Sequence, residues 1–182
     1  MAAASLAVLP ACEREAGRET ESSAPAPAPA PAPTETVLAV ARSDPDFTTF
    51  VAALQTAGLA EMLNGGGPFT IFAPTNTAFE KIPAARRDAL TRPEGRAELQ
   101  RLLTYHVVPA RLDSAALVQR IQAGGGELAL TTMQGGVLTA GIRADGAIEL
   151  TDGAGGVSRV VEADMAASNG VIHGLDTVAA PG

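Results

Sequence analysis

The chain has 182 residues, 46% of them hydrophobic, which suits one domain of ordinary size with a tail and needs no disulfide or structural metal for stability. Its formal net charge of −7 divides into −2 over residues 1–33 (four Glu, two Arg) and −5 over the remainder (16 acidic, 11 basic). That balance excludes a phosphate-backbone ligand, which needs clustered Lys and Arg to release counterions, and the absence of tryptophan beside one tyrosine and five phenylalanines leaves few faces for stacking on bases.

Ala2 to Ala11 is a short apolar run that ends directly before Cys12, the chain's single cysteine. One cysteine allows neither an internal disulfide nor a cysteine-based zinc site. The placement resembles a bacterial lipoprotein signal over residues 1–12, which implies cleavage before Cys12 and a lipid on its thiol. An ordinary signal peptide with an incidental thiol is the alternative. A transmembrane helix is disfavoured, because spanning takes about 20 apolar residues. Residues 13–33 carry Glu, Arg and Ser and then an Ala-Pro alternation from Ala24 to Pro33. Proline fixes φ and removes donors, so this stretch reads as an unpacked, polyproline-like linker.

The domain is expected over residues 34–182. A helical turn is expected at Val37 to Ala41. Asp44-Pro45 supplies an N-cap and a proline at N1 for a helix carrying Phe47, Phe50, Val51 and Leu54, which Gly58 closes. A further turn is expected at Leu59 to Leu63, and Asn64-Gly65-Gly66-Gly67-Pro68 must turn. Phe69 to Ala73 reads as a buried strand stopped by Pro74. Asn76 or Thr77 is expected to cap the helical turn that carries Ala78, Phe79 and Ile82. Pro93 opens a second helix with Leu99, Leu102, Leu103 and His106 on one face, and Ser114 to Gln122 forms a third. From Glu127 the apolar period falls toward two. Strands are expected at Glu127 to Thr132, Val137 to Ile142, Ala147 to Thr151, Val157 to Met165 and Gly170 to Val178, separated by Gly135-Gly136, Asp145-Gly146 and Asn169-Gly170 turns. Helices first and strands last give an α+β domain.

No Gly-x-Ser-x-Gly elbow, His-Glu-x-x-His pair or phosphate-binding glycine loop occurs, so the chain is read as a non-enzyme without cofactor or metal. Ser168 near the Asn169-Gly170 turn and Asp176 after His173 are spacings that chance supplies. His106 shares a helical face with Leu102 and Leu103, His173 alternates with Val171 and Leu175 in the last strand, and both are expected to be hydrogen-bonded core groups.

Three segments carry a more specific signal. They are Thr70-Ile71-Phe72-Ala73-Pro74-Thr75-Asn76-Thr77-Ala78-Phe79, then Tyr105-His106-Val107-Val108-Pro109, then Asn169-Gly170-Val171-Ile172-His173-Gly174-Leu175-Asp176-Thr177-Val178. In content, order and spacing they resemble the two signature boxes and the Tyr-His motif of the fasciclin (FAS1) domain. That resemblance implies a single compact β-wedge or sandwich of about seven strands with helices packed around it. It implies a binding and adhesion module outside the cytoplasm, with an envelope or matrix protein or a polysaccharide as partner and the membrane reached through Cys12. It also makes Thr70, Phe72, Ala73, Pro74, Thr75, Asn76, Phe79, Asn169, Gly170, His173 and Asp176 mainly structural. Tyr105 and His106 become the candidate interaction motif, Tyr105 toward the surface and His106 inward. A carrier of an apolar ligand, a carotenoid or lipid, is the alternative, which four methionines could serve.

Overall fold

The computed structural model describes residues 34–181, so the expected signal segment, the linker and Cys12 lie outside the described residues. The helical half begins with α1 (Val37–Ser43), capped by the Thr36 hydroxyl, which accepts from the Ala39 amide. Asp44 accepts from the Asp46 amide and starts a 3-10 turn, Pro45–Phe47, that runs into α2 (Thr48–Ala57). The residues α2 buries, Phe50, Val51, Ala53, Leu54 and Ala57, recur every three or four positions and form one apolar stripe. A short α3 (Ala60–Asn64) follows, and then β1 (Phe69–Pro74), buried along its whole length.

Next come α4 (Asn76–Glu80), α5 (Ala84–Thr91), a second 3-10 turn at Pro93–Gly95 and α6 (Arg96–Tyr105). The chain then forms the two-residue strand β2 (Val107–Val108) and α7 (Ser114–Ala123), whose first turn is capped by Asp113. A meander follows: β3 (Glu127–Thr131), β4 (Val137–Ile142), β5 (Ile148–Thr151), β6 (Val157–Ala167) and β7 (Gly170–Leu175).

The strands form one seven-stranded sheet in the order β2-β1-β7-β6-β5-β4-β3. Every pairing is antiparallel except β1 with β7, whose parallel register sets Phe72 beside His173. The first strand is thus inserted beside the last. Beyond β3, the Met133 amide donates to the Val107 carbonyl on β2 at 2.8 Å, which draws the two ends of the sheet together. The fold is the expected α+β domain with a nearly closed, seven-stranded sheet. Two apolar clusters fill it. One packs α1, α2, α3 and α6 against β1, and the other lies between α7 and the inner faces of β3, β4 and β5.

Several details differ from the sequence reading. Thr75, not Asn76 or Thr77, caps α4, its hydroxyl accepting from the Ala78 amide. The last strand stops at Leu175 rather than Val178, because the chain leaves the ladder there. Neither α5 nor β2 is expected from the sequence. The first buries only Leu90 and so lacks an apolar stripe, and the second is two residues long. Pro74 closes its strand as its final residue.

Candidate functional site

The signature residues converge on three junctions. At the first, the Asn169 side chain sits in the β6–β7 turn and reaches two helices. Its Oδ1 accepts from the Val37 amide at 2.8 Å, and its Nδ2 donates to the Leu63 and Gly65 carbonyls, both at 2.8 Å. One amide therefore satisfies a donor at the start of α1 and two carbonyls at the end of α3, groups that a helix leaves without internal partners. Gly170 follows because β1 crosses so closely that a Cβ would stand 2.2 Å from the Phe69 carbonyl oxygen.

At the second junction, Asn76 holds α2 to α4. Its Oδ1 accepts from the Thr49 amide at 2.9 Å, and its Nδ2 donates to the Pro45 carbonyl at 2.8 Å. Thr75 donates through its hydroxyl to the Leu175 carbonyl at 3.2 Å, tying the end of β1 to the end of β7. Asp176 extends that tie: its carboxylate accepts from the Arg159 amide at 2.8 Å and meets Lys81 Nζ at 3.4 Å. Burial opposes ionisation of Asp176, but the Arg159 amide, Thr177 and Lys81 outweigh it and hold the carboxyl below its ordinary pKa.

The third junction contains both histidines. His106 is fully buried; its Nδ1–H donates to the Leu102 carbonyl at 2.7 Å, and its Nε2 accepts from the Ala179 amide at 3.1 Å. That pattern requires the neutral Nδ1–H tautomer. Burial pushes the imidazole down to about 4, against the opposing pull of the Leu102 carbonyl and Asp152. His173 is also fully buried and uses the other tautomer. Its Nε2–H donates to the Leu112 carbonyl at 2.8 Å, its Nδ1 accepts weakly from the Asp164 amide at 3.4 Å, and burial holds its pKa below the ordinary value. Thr70 completes the junction by donating to the Ala110 carbonyl at 2.6 Å and accepting from the Leu112 amide at 2.9 Å. Phe72 stacks on His173 with ring centroids 5.6 Å apart, while Ala73 and Phe79 are core residues.

Tyr105 departs from the expected surface position, with only 1% of the residue exposed. Its hydroxyl donates to the Val137 carbonyl at 2.7 Å and accepts from the Gly153 amide at 2.9 Å, pinning the β3–β4 and β5–β6 turns to the end of α6. A Cβ on Gly136 would meet its ring at 2.5 Å.

Two acidic residues not singled out from the sequence also serve the scaffold. The Asp152 carboxylate accepts from the Ala154 and Gly156 amides, at 3.0 and 2.6 Å, and from the Ala180 amide at 2.8 Å. Asp164 adopts φ 62, in the left-handed region, beside a register shift in β6, and there takes both the Ser114 amide, at 2.6 Å, and the Ser114 hydroxyl. An aspartate followed by glycines announces the Asp152 turn in the sequence; nothing local announces the Asp164 contact across 50 residues.

Chemically, these groups are arranged for structure. Ser114 bonds to a carboxylate rather than to a histidine, and both nitrogens of each imidazole are taken by backbone groups, so no hydroxyl–imidazole pair forms at this junction. Among the described residues, no group of three or more His, Cys, Asp or Glu is placed to hold a metal ion.

The model of the fasciclin domain family matches residues 45–181. The chain belongs to the fasciclin-domain family. It is 40% identical over 162 residues to protein sll1483 of Synechocystis sp., covering 89% of this chain and 82% of that one. It is 37% identical over 146 residues to the pig transforming growth factor-beta-induced protein ig-h3, covering 80% of this chain but 19% of the pig protein. Its fold is similar to a solved FAS1 domain pair from the insect cell adhesion molecule fasciclin I, with a TM-score of 0.60 and 24% identity over 72% of this chain and 44% of that one. Both fasciclin signature boxes and the Tyr-His motif are thus built into the scaffold of this domain.

Proposed function

We propose that this fasciclin domain is an extracytoplasmic binding and adhesion module that engages a protein partner through its exposed sheet face. The observation that carries the reading is the division of labour within the fold. The signature side chains are absorbed in internal bonds, whereas the outer face of β3–β6 is open. Ala129, Thr139, Thr151 and Val157 form one cross-strand row there, with Thr131 and Val137 beside it. Val137 and Val157 are 48% and 49% exposed, well above the usual state of a valine. Val161, farther along β6, is 54% exposed. All six aromatic residues, Tyr105 and the five phenylalanines, are buried, which removes the stacking surface that a polysaccharide would use and favours a protein partner. Adhesion is supported by the family and by the insect cell adhesion molecule whose fold this chain shares.

In this reading residues 34–182 are the folded module, residues 13–33 are a spacer, and Cys12 carries a lipid that holds the module at the cell envelope. Two experiments test it. Intact mass of the protein from its own membranes should show an acylated N-terminal Cys12, and Cys12→Ala should release the protein from the membrane; an unmodified thiol would overturn the anchor. Beads coated with the full chain should retain cells of the source organism, and Val137→Asp with Val157→Asp should abolish retention without lowering thermal stability. The carotenoid or lipid carrier reading predicts a bound chromophore or lipid in gently purified protein.

A further inference from the structure

A small apolar cavity of about 140 Å³ lies among α2, α4, α5 and α6. Ala52, Ala53, Phe79, Leu90, Leu99 and Arg87 are among the residues that line it. The neighbouring Arg86 is neutralised by Glu98 at 2.8 Å, but Arg87 has no carboxylate within ion-pair distance among the described residues. Of the three hydroxyls that line the cavity, two are committed as donors and that of Thr49 is not. Thr56 donates to the Ala52 carbonyl of its own helix, and Thr91 to the Arg87 and Asp88 carbonyls of its own. The site therefore offers an apolar socket with an arginine in its lining, a side chain whose planar guanidinium donors suit a carboxylate.

The geometry points to a binding site for a small amphiphilic carboxylate, with the acid group on Arg87 and a short unbranched apolar tail in the socket. The volume holds about five methylene-sized groups, taking the ~30 Å³ that a water occupies in the liquid as the unit. This excludes a long polyene or a whole lipid and fits the tail of a six-carbon acid. The site lies in the helical layer rather than on the β3–β6 face, so it stands or falls independently of the adhesion reading.

Titration of the full chain with sodium butyrate, hexanoate and octanoate, followed by amide NMR shifts, tests the site. Saturable shifts should fall on α2, α5 and α6. Affinity should rise about fourfold per methylene from butyrate to hexanoate and level off by octanoate, where the socket is full. Arg87→Gln, a surface change, should weaken hexanoate about tenfold or more and leave 1-hexanol unaffected. Ala52→Leu should block both. Hexanoate shifts that do not saturate, or an affinity unchanged by Arg87→Gln, would overturn the assignment.

Discussion

Removing the Asn169 side-chain amide breaks three hydrogen bonds that join the β6–β7 turn to α1 and α3. At roughly 1 kcal/mol per neutral bond, Asn169→Ala is expected to cost about 3 kcal/mol in urea unfolding at neutral pH. A cost below about 1 kcal/mol would mean that water replaces those bonds. His106 gives a second residue-scale prediction, in pH. Its folded pKa, about 4, lies below the ordinary 6.5, so between these values the unfolded chain binds more protons and stability falls as pH falls. The loss from His106 grows as pH falls from about 6.5 and has reached about 3 kcal/mol by pH 4, finishing below the folded pKa. His173, shifted in the same direction, adds to it. Urea midpoints measured from pH 7 to 4 should show the decline, and His106→Gln should flatten part of it while lowering stability at pH 7. A wild-type midpoint that stays level over this range would contradict the buried, neutral imidazoles. Both histidines were legible as core residues because apolar neighbours flank them at element spacing. Asp152 and Asp164 were not, because their partners are backbone amides of other elements, and tertiary contact alone gives those positions their role.

At the scale of elements, the parallel pairing of β1 with β7 is the join on which the sheet depends, since it inserts the first strand beside the last. Gly170 opens that pairing opposite Phe69. Gly170→Ala would force a Cβ against the Phe69 backbone and the buried, β-branched Val37 side chain, and is expected to lower stability by about 3 kcal/mol, seen as a lower thermal midpoint. An unchanged midpoint would mean that the strands can separate at little cost. The meander from β3 to β6 was legible because each strand buries one face, so that Leu130, Leu138, Ala140, Ile148 and Leu150 alternate with exposed or half-buried neighbours. Pairing order was not, because the β1–β7 contact joins segments about 100 residues apart and leaves no local periodicity. The cap of α4 was misread for a related reason. Thr75, Asn76 and Thr77 are all capping residues, and the choice of Thr75 follows from its hydroxyl also reaching Leu175 across the sheet. The helix α5 escaped because Ala84 to Thr91 carries its burial on Leu90 alone.

Considered whole, the molecule buries its signature side chains and leaves the β3–β6 face, where the proposed contact lies, open. The signature motifs of the sequence sit inside, where every imidazole and signature amide is bonded, and the resemblance that identifies the family therefore says little about which atoms meet a partner. Tyr105 illustrates this: named as a candidate contact, it is a buried pin between two turns. With all its aromatics in the core, the protein leaves on its outer sheet face a row of alanine, threonine and valine beside a charged row of Glu127, Glu149 and Arg159, the mixed surface on which the proposed protein contact rests. The most direct measurement is cell retention on beads coated with the full chain, comparing wild type, the Val137→Asp/Val157→Asp variant and Tyr105→Phe. The account predicts that the valine variant keeps its thermal midpoint and loses retention, while Tyr105→Phe loses stability and retains cells wherever it is folded. Full retention by the valine variant, or loss of retention in a stable Tyr105→Phe protein, would contradict it.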